Sequence, residues 1–241
     1  FILAAAASAV GLGNMWRFPY LAAKYGGGAF LLVYIILVVT FGFALMMAET
    51  ALGRKTGQSA IGAFSAFAPH GLRPPEGLDC LDIGASTGGF CDVLLRDGAH
   101  RVIALDVGHG QLDARIASDP RIIEMSGVNI RDVDPTDLPF APQMVVSDVS
   151  FISLTYVLPV VARIAAPGAA VVMLVKPQFE VGRQGLGKHG IVTDPQLRTR
   201  ALDGVVHCAC ECGLDVVATA VSPIEGTHGN IEYLMYARAR S

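Results

Sequence analysis

The chain has 241 residues, 52% of them hydrophobic, and a formal charge of −3, with a mean hydropathy of +0.49. That length buries a substantial core in one large or two modest domains, and that hydropathy excludes a chain that faces water throughout. Arg17, Lys24, Arg54 and Lys55 against Glu49 make the first part basic and leave the remainder acidic, a poor balance for holding RNA by its phosphates alone.

Residues 1–12 are apolar and Ala-rich, then Gly11, Gly13 and Asn14 interrupt the run before Trp16-Arg17-Phe18-Pro19-Tyr20. Gly26, Gly27 and Gly28 form a loop, and residues 29–48 carry no charge. At about 1.5 Å per residue the second run crosses a hydrocarbon core of about 30 Å. The expectation is an all-α two-helix transmembrane hairpin. A signal peptide is the competing reading of the first run, but it breaks without a small-residue cleavage site. Arg54 and Lys55 place the end of the second span in the cytoplasm and the glycine loop outside.

Residues 67–77, FAPHGLRPPEG, are rich in Pro and Gly, and hydrophobicity falls there. The sequence therefore divides into a hairpin at 1–68, a linker at 69–77 and a second domain at 78–241. That domain opens on LDCLDIGASTGGF, residues 78–90, which reads as strand, tight loop and helix. Gly84, Gly88 and Gly89 let the backbone bend and approach a ligand, and the N–H groups that open the helix can hold an anionic group. Asp106 closes the next apolar run, where a carboxylate can take the two hydroxyls of a ribose. The pattern D-x-G-x-x-x-G-x-F lacks the G-x-G-x-x-G spacing of dinucleotide binders and leans toward S-adenosylmethionine over NAD. Alone, the stretch also reads as an ordinary strand-to-helix turn.

Further strands are predicted at 102–105, 122–125, 144–149, 169–175, 216–220 and 231–237, and helices at 90–96, 111–117, 153–165 and 196–212. Strands alternating with helices give a doubly wound α/β sheet with its ligand at the carboxyl ends of the strands. The last two strands are joined by a loop alone. Such a closing antiparallel hairpin is expected of the class I, Rossmann-like, S-adenosylmethionine-dependent methyltransferase fold. Asp148, Lys176 and Glu232 stand at strand ends. Each singly reads as a solvated terminus, but together they suit deprotonation of a sugar hydroxyl followed by in-line methyl transfer. A lysine serves as that base only where burial or a neighbouring cation lowers its pKa.

Cys80, Cys91, Cys208, Cys210 and Cys212 have no spaced framework, which points to reduced thiols in an intracellular protein. Cys208, Cys210 and Cys212 beside His207 read either as metal ligands or as small residues packed near a helix end at Gly213. No second cluster completes four ligands, so no metal is expected.

Two resemblances organise these observations. SAVGLGNMWRFPY, KYGGGAFLLVY and ETALGRKTGQSAIGAF resemble the first two transmembrane helices of the sodium:neurotransmitter symporter family, over residues 1–68. The resemblance implies a first helix broken at mid-membrane, with Ala9, Val10 and Asn14 as sodium ligands and Arg17 as a gating residue. The helices that close that family's site have no counterpart here, so the expected role of residues 1–50 is a membrane anchor or an accidental remnant rather than transport.

LDIGASTGGF, LDVGHGQL, SDVSFISL, LVKPQFEVGR, KHGIVTDP and GNIEYL resemble the TlyA (hemolysin A-like) family of ribosomal RNA 2′-O-methyltransferases, relatives of the FtsJ-type enzymes, over residues 71–240. The resemblance implies S-adenosylmethionine as cofactor and ribosomal RNA or a ribosomal subunit as substrate. Gly84, Ser86, Gly88 and Phe90 would line the methionine end of the cofactor, with Asp82, Ala85, Gly89 and Asp148 around them. Asp106 would hold the ribose and Asn129 would sit by the adenine. Asp148, Lys176 and Glu232 match the last three members of a Lys-Asp-Lys-Glu catalytic tetrad.

The family's basic RNA-binding domain and its Y-V-S-R-G-G-x-K-L segment, which carries the first lysine, have no match. The lysines are Lys24, Lys55, Lys176 and Lys188. The resulting expectation is a cytoplasmic methyltransferase domain that binds cofactor but transfers methyl weakly or not at all. The rival reading is a sodium-coupled symporter fragment with an adventitious methyltransferase tail, and length favours the enzyme. A third is a native membrane-tethered methyltransferase. Phe1 is not an initiator, which fits a fragment, a processed chain or a misassembled join of two genes.

Overall fold

The computed structural model describes residues 65–187, 190–226 and 229–240. The candidate spans and Ala9, Val10, Asn14 and Arg17 lie outside the described residues. Among the described residues, no helix is long and apolar enough to cross a membrane.

Parallel strands buried on both faces read as unbroken apolar runs, and four of them build the middle of the sheet. β1 (Asp79–Ile83), β2 (Arg101–Asp106), β4 (Met144–Ser147) and β5 (Ala170–Val175) hold almost no exposed residue, and β3 (Ile122–Ser126) is half-covered. Helices α1 (Gly89–Arg96), α2 (Ala114–Ala117), α3 (Leu154–Ile164), α4 (Pro177–Glu180) and α5 (Pro195–Glu211) connect them. Strands β6 (Leu214–Val221) and β7 (Tyr233–Ala239) follow one another, yet the sheet order is β3-β2-β1-β4-β5-β7-β6. β7 is antiparallel to both β5 and β6, and the other pairs are parallel. The order reverses between β1 and β4, the switch point at which open α/β sheets leave a crevice at their carboxyl ends.

Alternating strand residues feed two cores. One face packs Leu81, Ile103, Val145 and Met173 against Val157 and Leu158 of α3 and Val205 of α5. The other packs Cys80, Val102, Val146 and Val172 against Phe90 and Leu94 of α1. Phe67 and Leu72 join this second core, and the Phe67 ring lies 5.7 Å from that of the fully buried Tyr236.

Local chemistry sets the helix bounds. Ser153 caps α3 through Thr155 N–H, and Asp194 caps α5 through Gln196 N–H with Pro195 at the first helical position. Pro159 inside α3 has no N–H for the carbonyl of Thr155. The Cys208 thiol on α5 donates to that carbonyl at 3.9 Å. The helix predicted at 111–117 is shorter because Asp113 is extended and caps α2 by accepting from Arg115 N–H at 2.8 Å. β4 stops at Ser147 rather than at 149 and β7 starts at Tyr233 rather than at 231, so Asp148 and Glu232 lie just beyond strand ends. The four-residue α4 was not expected.

No group of three or more metal-ligating side chains occurs among the described residues. A spacing of two on a helix separates the thiols: Cys210 is exposed while Cys208 and Cys212 pack toward the core.

Candidate active site

The glycine-rich loop leaves β1 with Gly84 and Ala85 N–H both donating to the Leu105 carbonyl, at 2.8 and 3.1 Å. Gly84 is left-handed (φ +82°), and a Cβ there would lie 2.6 Å from the backbone oxygen of Asp148. Only glycine lets β1 and the end of β4 approach this closely. Ser86 is also left-handed (φ 47°) although it has a side chain. Its N–H donates to Asp106 Oδ2 at 2.8 Å, while Gly108 N–H donates to Oδ1 at 2.7 Å. Such backbone outliers cluster where a loop is shaped for a ligand.

Beside this loop lies a cavity of about 600 Å³, lined by Gly84, Ser86, Asp106, Asn129, Asp148 and Phe151 among others. Asn129 Oδ1 accepts from Arg131 N–H at 3.1 Å, which fixes the turn on the cavity's far wall. The remaining loop residues face elsewhere. Gly88 caps α1 and Gly89 begins it, while Ala85 and Phe90 are buried in the second core. Asp82 points inward beneath the loop, 1% exposed. Its Oδ2 accepts from the N–H and thiol of Cys91, both at 3.1 Å. That N–H belongs to the first turn of α1, where donors lack intrahelical partners. Burial nonetheless pushes the Asp82 carboxyl up to about 7.

The three groups at the strand ends converge. Asp148 N–H donates to the Ile83 carbonyl at 3.1 Å, which anchors the residue at the switch point. Lys176 Nζ lies 2.5 Å from Asp148 Oδ1 and donates to Ser150 Oγ at 3.1 Å, with its side chain only 12% exposed. Glu232 is buried, and Gln178 Nε2 donates to its Oε1 at 2.9 Å. Burial holds the Glu232 carboxyl above its usual range. The Gln178 hydrogen bond and the Lys176 charge pull it down, and Asp148 pushes it up. Amine and carboxylates thus share one electrostatic site.

Ser150, Phe151 and Gln178 belong to this site and went unread in the sequence. Phe151 is left-handed (φ 66°) and 91% exposed, with its ring 5.2 Å from that of Phe179. The only signals were their places inside the stretches SDVSF and KPQFE.

The strand order, the glycine cradle and the crevice at the switch point define a class I methyltransferase, whose cofactor is S-adenosylmethionine. The description of FtsJ-like methyltransferases matches residues 61–239, and the chain belongs to the FtsJ-like methyltransferase family. Residues 1–72 separately match the sodium:neurotransmitter symporter family, so the two matches overlap at 61–72. The 16S/23S rRNA (cytidine-2′-O)-methyltransferase TlyA of Mycobacterium tuberculosis is 42% identical over 193 residues, 80% of this chain and 70% of that protein. A solved structure of a candidate hemolysin from Lactococcus lactis superposes with a TM-score of 0.72 at 39% identity, covering 76% of this chain and 87% of that one. The mouse sodium- and chloride-dependent transporter XTRP3A is 47% identical over 70 residues, 29% of this chain and 12% of that protein.

The cavity fits this cofactor. Its volume falls within the roughly 300–1,000 Å³ usual for small-molecule sites. The space at Gly84 is one that a Cβ would fill, and the Asp106 carboxylate is held by two backbone N–H groups at the cavity wall.

Proposed function

We propose that the domain is a ribose 2′-O-methyltransferase acting on ribosomal RNA. The observation that carries the reading is the Lys176–Asp148 ion pair, joined by Glu232, at the edge of the cofactor cavity. Gly84 and Ser86 would hold the methionine end of the cofactor, Asp106 the ribose and Asn129 the adenine. When bound, S-adenosylmethionine supplies an electrophilic methyl group on its sulfonium.

The chain's own residues then have distinct tasks. Lys176, as the neutral amine, is the group placed to receive the proton of a ribose hydroxyl and so become the ammonium that pairs with Asp148, and Asp148 and Ser150 fix the direction of its Nζ. Glu232 adds a second carboxylate, so the proton is received inside a network of fixed charge. The exposed Phe151 ring backed by Phe179 offers an apolar face on which an unstacked base can rest, the usual means of reading single-stranded RNA.

Transfer by this chain alone is expected to be weak. Residues 58–77, which precede the glycine loop, contain no lysine, so no described residue ahead of that loop supplies the first lysine of the family's tetrad. An acidic catalytic body also grips RNA poorly. Residues 1–50 are read as a membrane attachment that leaves the catalytic domain on the cytoplasmic side.

The test is methyl transfer from tritiated S-adenosylmethionine to ribosomal RNA, with nucleoside analysis of the product and calorimetry of cofactor binding. The expected result is 2′-O-methylated product at low turnover, abolished by Lys176→Ala with cofactor affinity intact. Tight uptake of NAD with none of S-adenosylmethionine would overturn the reading. Turnover on naked RNA equal to that of a full-length relative would remove the claim of weakness.

A further inference from the structure

The one-turn helix α4 begins directly after Lys176, and its second residue reaches across to the opposite side of the site. Gln178 Nε2 donates to Glu232 Oε1 at 2.9 Å. An amide that donates to a carboxylate must turn its oxygen away, and Gln178 Oε1 is buried with no partner among the described residues. Space for the carboxylate comes from Gly226, where a Cβ would fall 2.1 Å from Glu232 Oε1. Glu232 therefore sits in a slot with glycine on one side and an amide donor on the other.

We propose that Gln178 is a positioning residue that fixes the orientation and the negative charge of Glu232. The proposal rests on the methyltransferase reading for the purpose of that charge, but its geometry does not. The charged groups that act on Glu232 among the described residues are Lys176, from the end of β5, and Asp148, from the loop after β4. Burial and Asp148 favour the protonated carboxyl, while Lys176 and Gln178 favour the ionised one. Of the latter two, Lys176 is already engaged with Asp148. Gln178 is the donor committed to Glu232. Removing it tilts the balance toward protonation, which replaces a charge that stabilises the Lys176 ammonium with a neutral group.

The test reads the carboxyl directly. In the full 241-residue chain labelled with carbon-13 at glutamate Cδ, the Glu232 resonance is assigned by its loss in Glu232→Gln and titrated with pH. In Gln178→Ala the titration midpoint is expected to move to higher pH, and in the isosteric Gln178→Glu to move further, because a second carboxyl replaces the donor. Unmoved midpoints in both variants would overturn the proposal. Methyl transfer to ribosomal RNA at neutral pH is measured in parallel and is expected to fall about tenfold in Gln178→Ala at unchanged cofactor affinity. If the midpoints move while Glu232→Gln retains full turnover, the positioning stands and the catalytic role of Glu232 is what fails.

Discussion

Ser153 Oγ donates to Glu180 Oε2 at 2.5 Å, and the Leu154 N–H donates to Oε1 of the same carboxylate at 2.9 Å. Glu180 ends α4 and Ser153 caps α3, so one carboxylate ties the segment that carries Asp148 to the segment that carries Lys176. Glu180→Ala leaves the first donors of α3 without this acceptor. The expected loss is about 1–3 kcal/mol of stability, read by urea denaturation. A fall in methyl transfer larger than the unfolded fraction explains is expected with it.

Gly84→Ala tests the cradle. The added Cβ meets backbone rather than a mobile side chain and also strains a left-handed residue, so β1 and the end of β4 must separate. Affinity for S-adenosylhomocysteine, measured by calorimetry, is expected to drop at least about tenfold, or about 1.4 kcal/mol.

Gly226→Ala tests the slot. Here the new methyl group meets the far end of the Glu232 side chain, which can swing away without unfolding the domain. Turnover is expected to fall about tenfold or more with cofactor affinity unchanged, the pattern of a displaced reacting group rather than a damaged pocket.

Asp82 gives a pH signature. Its carboxyl stands at about 7 against an ordinary 3.8, chiefly through burial. A carboxyl raised on folding stabilises the native state while protonated. Its contribution is complete below about pH 4 and is lost as pH rises through about 7. Asp79 and Asp119, held low by Arg101 and Arg121, act in the opposite sense and below that window. Relative to Asp82→Asn, the wild-type chain is expected to lose stability of the order of a few kcal/mol between about pH 4 and pH 8. Denaturation series across that range provide the check.

Much of this was legible because the central strands are covered on both faces and so appear as plain apolar runs. Residues 102–105 fall within β2, and 169–175 differ from β5 by one residue. Asp148 was read inside a strand because Val149 extends the apolar run, but the backbone leaves the ladder at Ser147 to deliver the carboxylate. Asp82 looked like part of the ligand loop, yet strand alternation turns it under α1. Gln178 carries no signature in sequence, since its task exists only once β7 has brought Glu232 beside α4. The Lys176-Pro177 pair was the available hint of α4, proline being suited to the first position of a helix.

The seam expected at 69–77 lies next to residues with a structural task. Phe67 is fully buried against Tyr236, and Phe67→Ala is expected to cost roughly 3–5 kcal/mol. A variant as stable as wild type in urea would show that this ring is dispensable.

β7 is the last strand among the described residues, yet it is wedged between β5 and β6, and within them β6 reaches the sheet only through it. During synthesis, the first five strands can pair while the chain is still growing, but the carboxylate at the head of β7 arrives after all of them. A nascent polypeptide can thus form its cofactor crevice well before it owns a complete set of reacting groups.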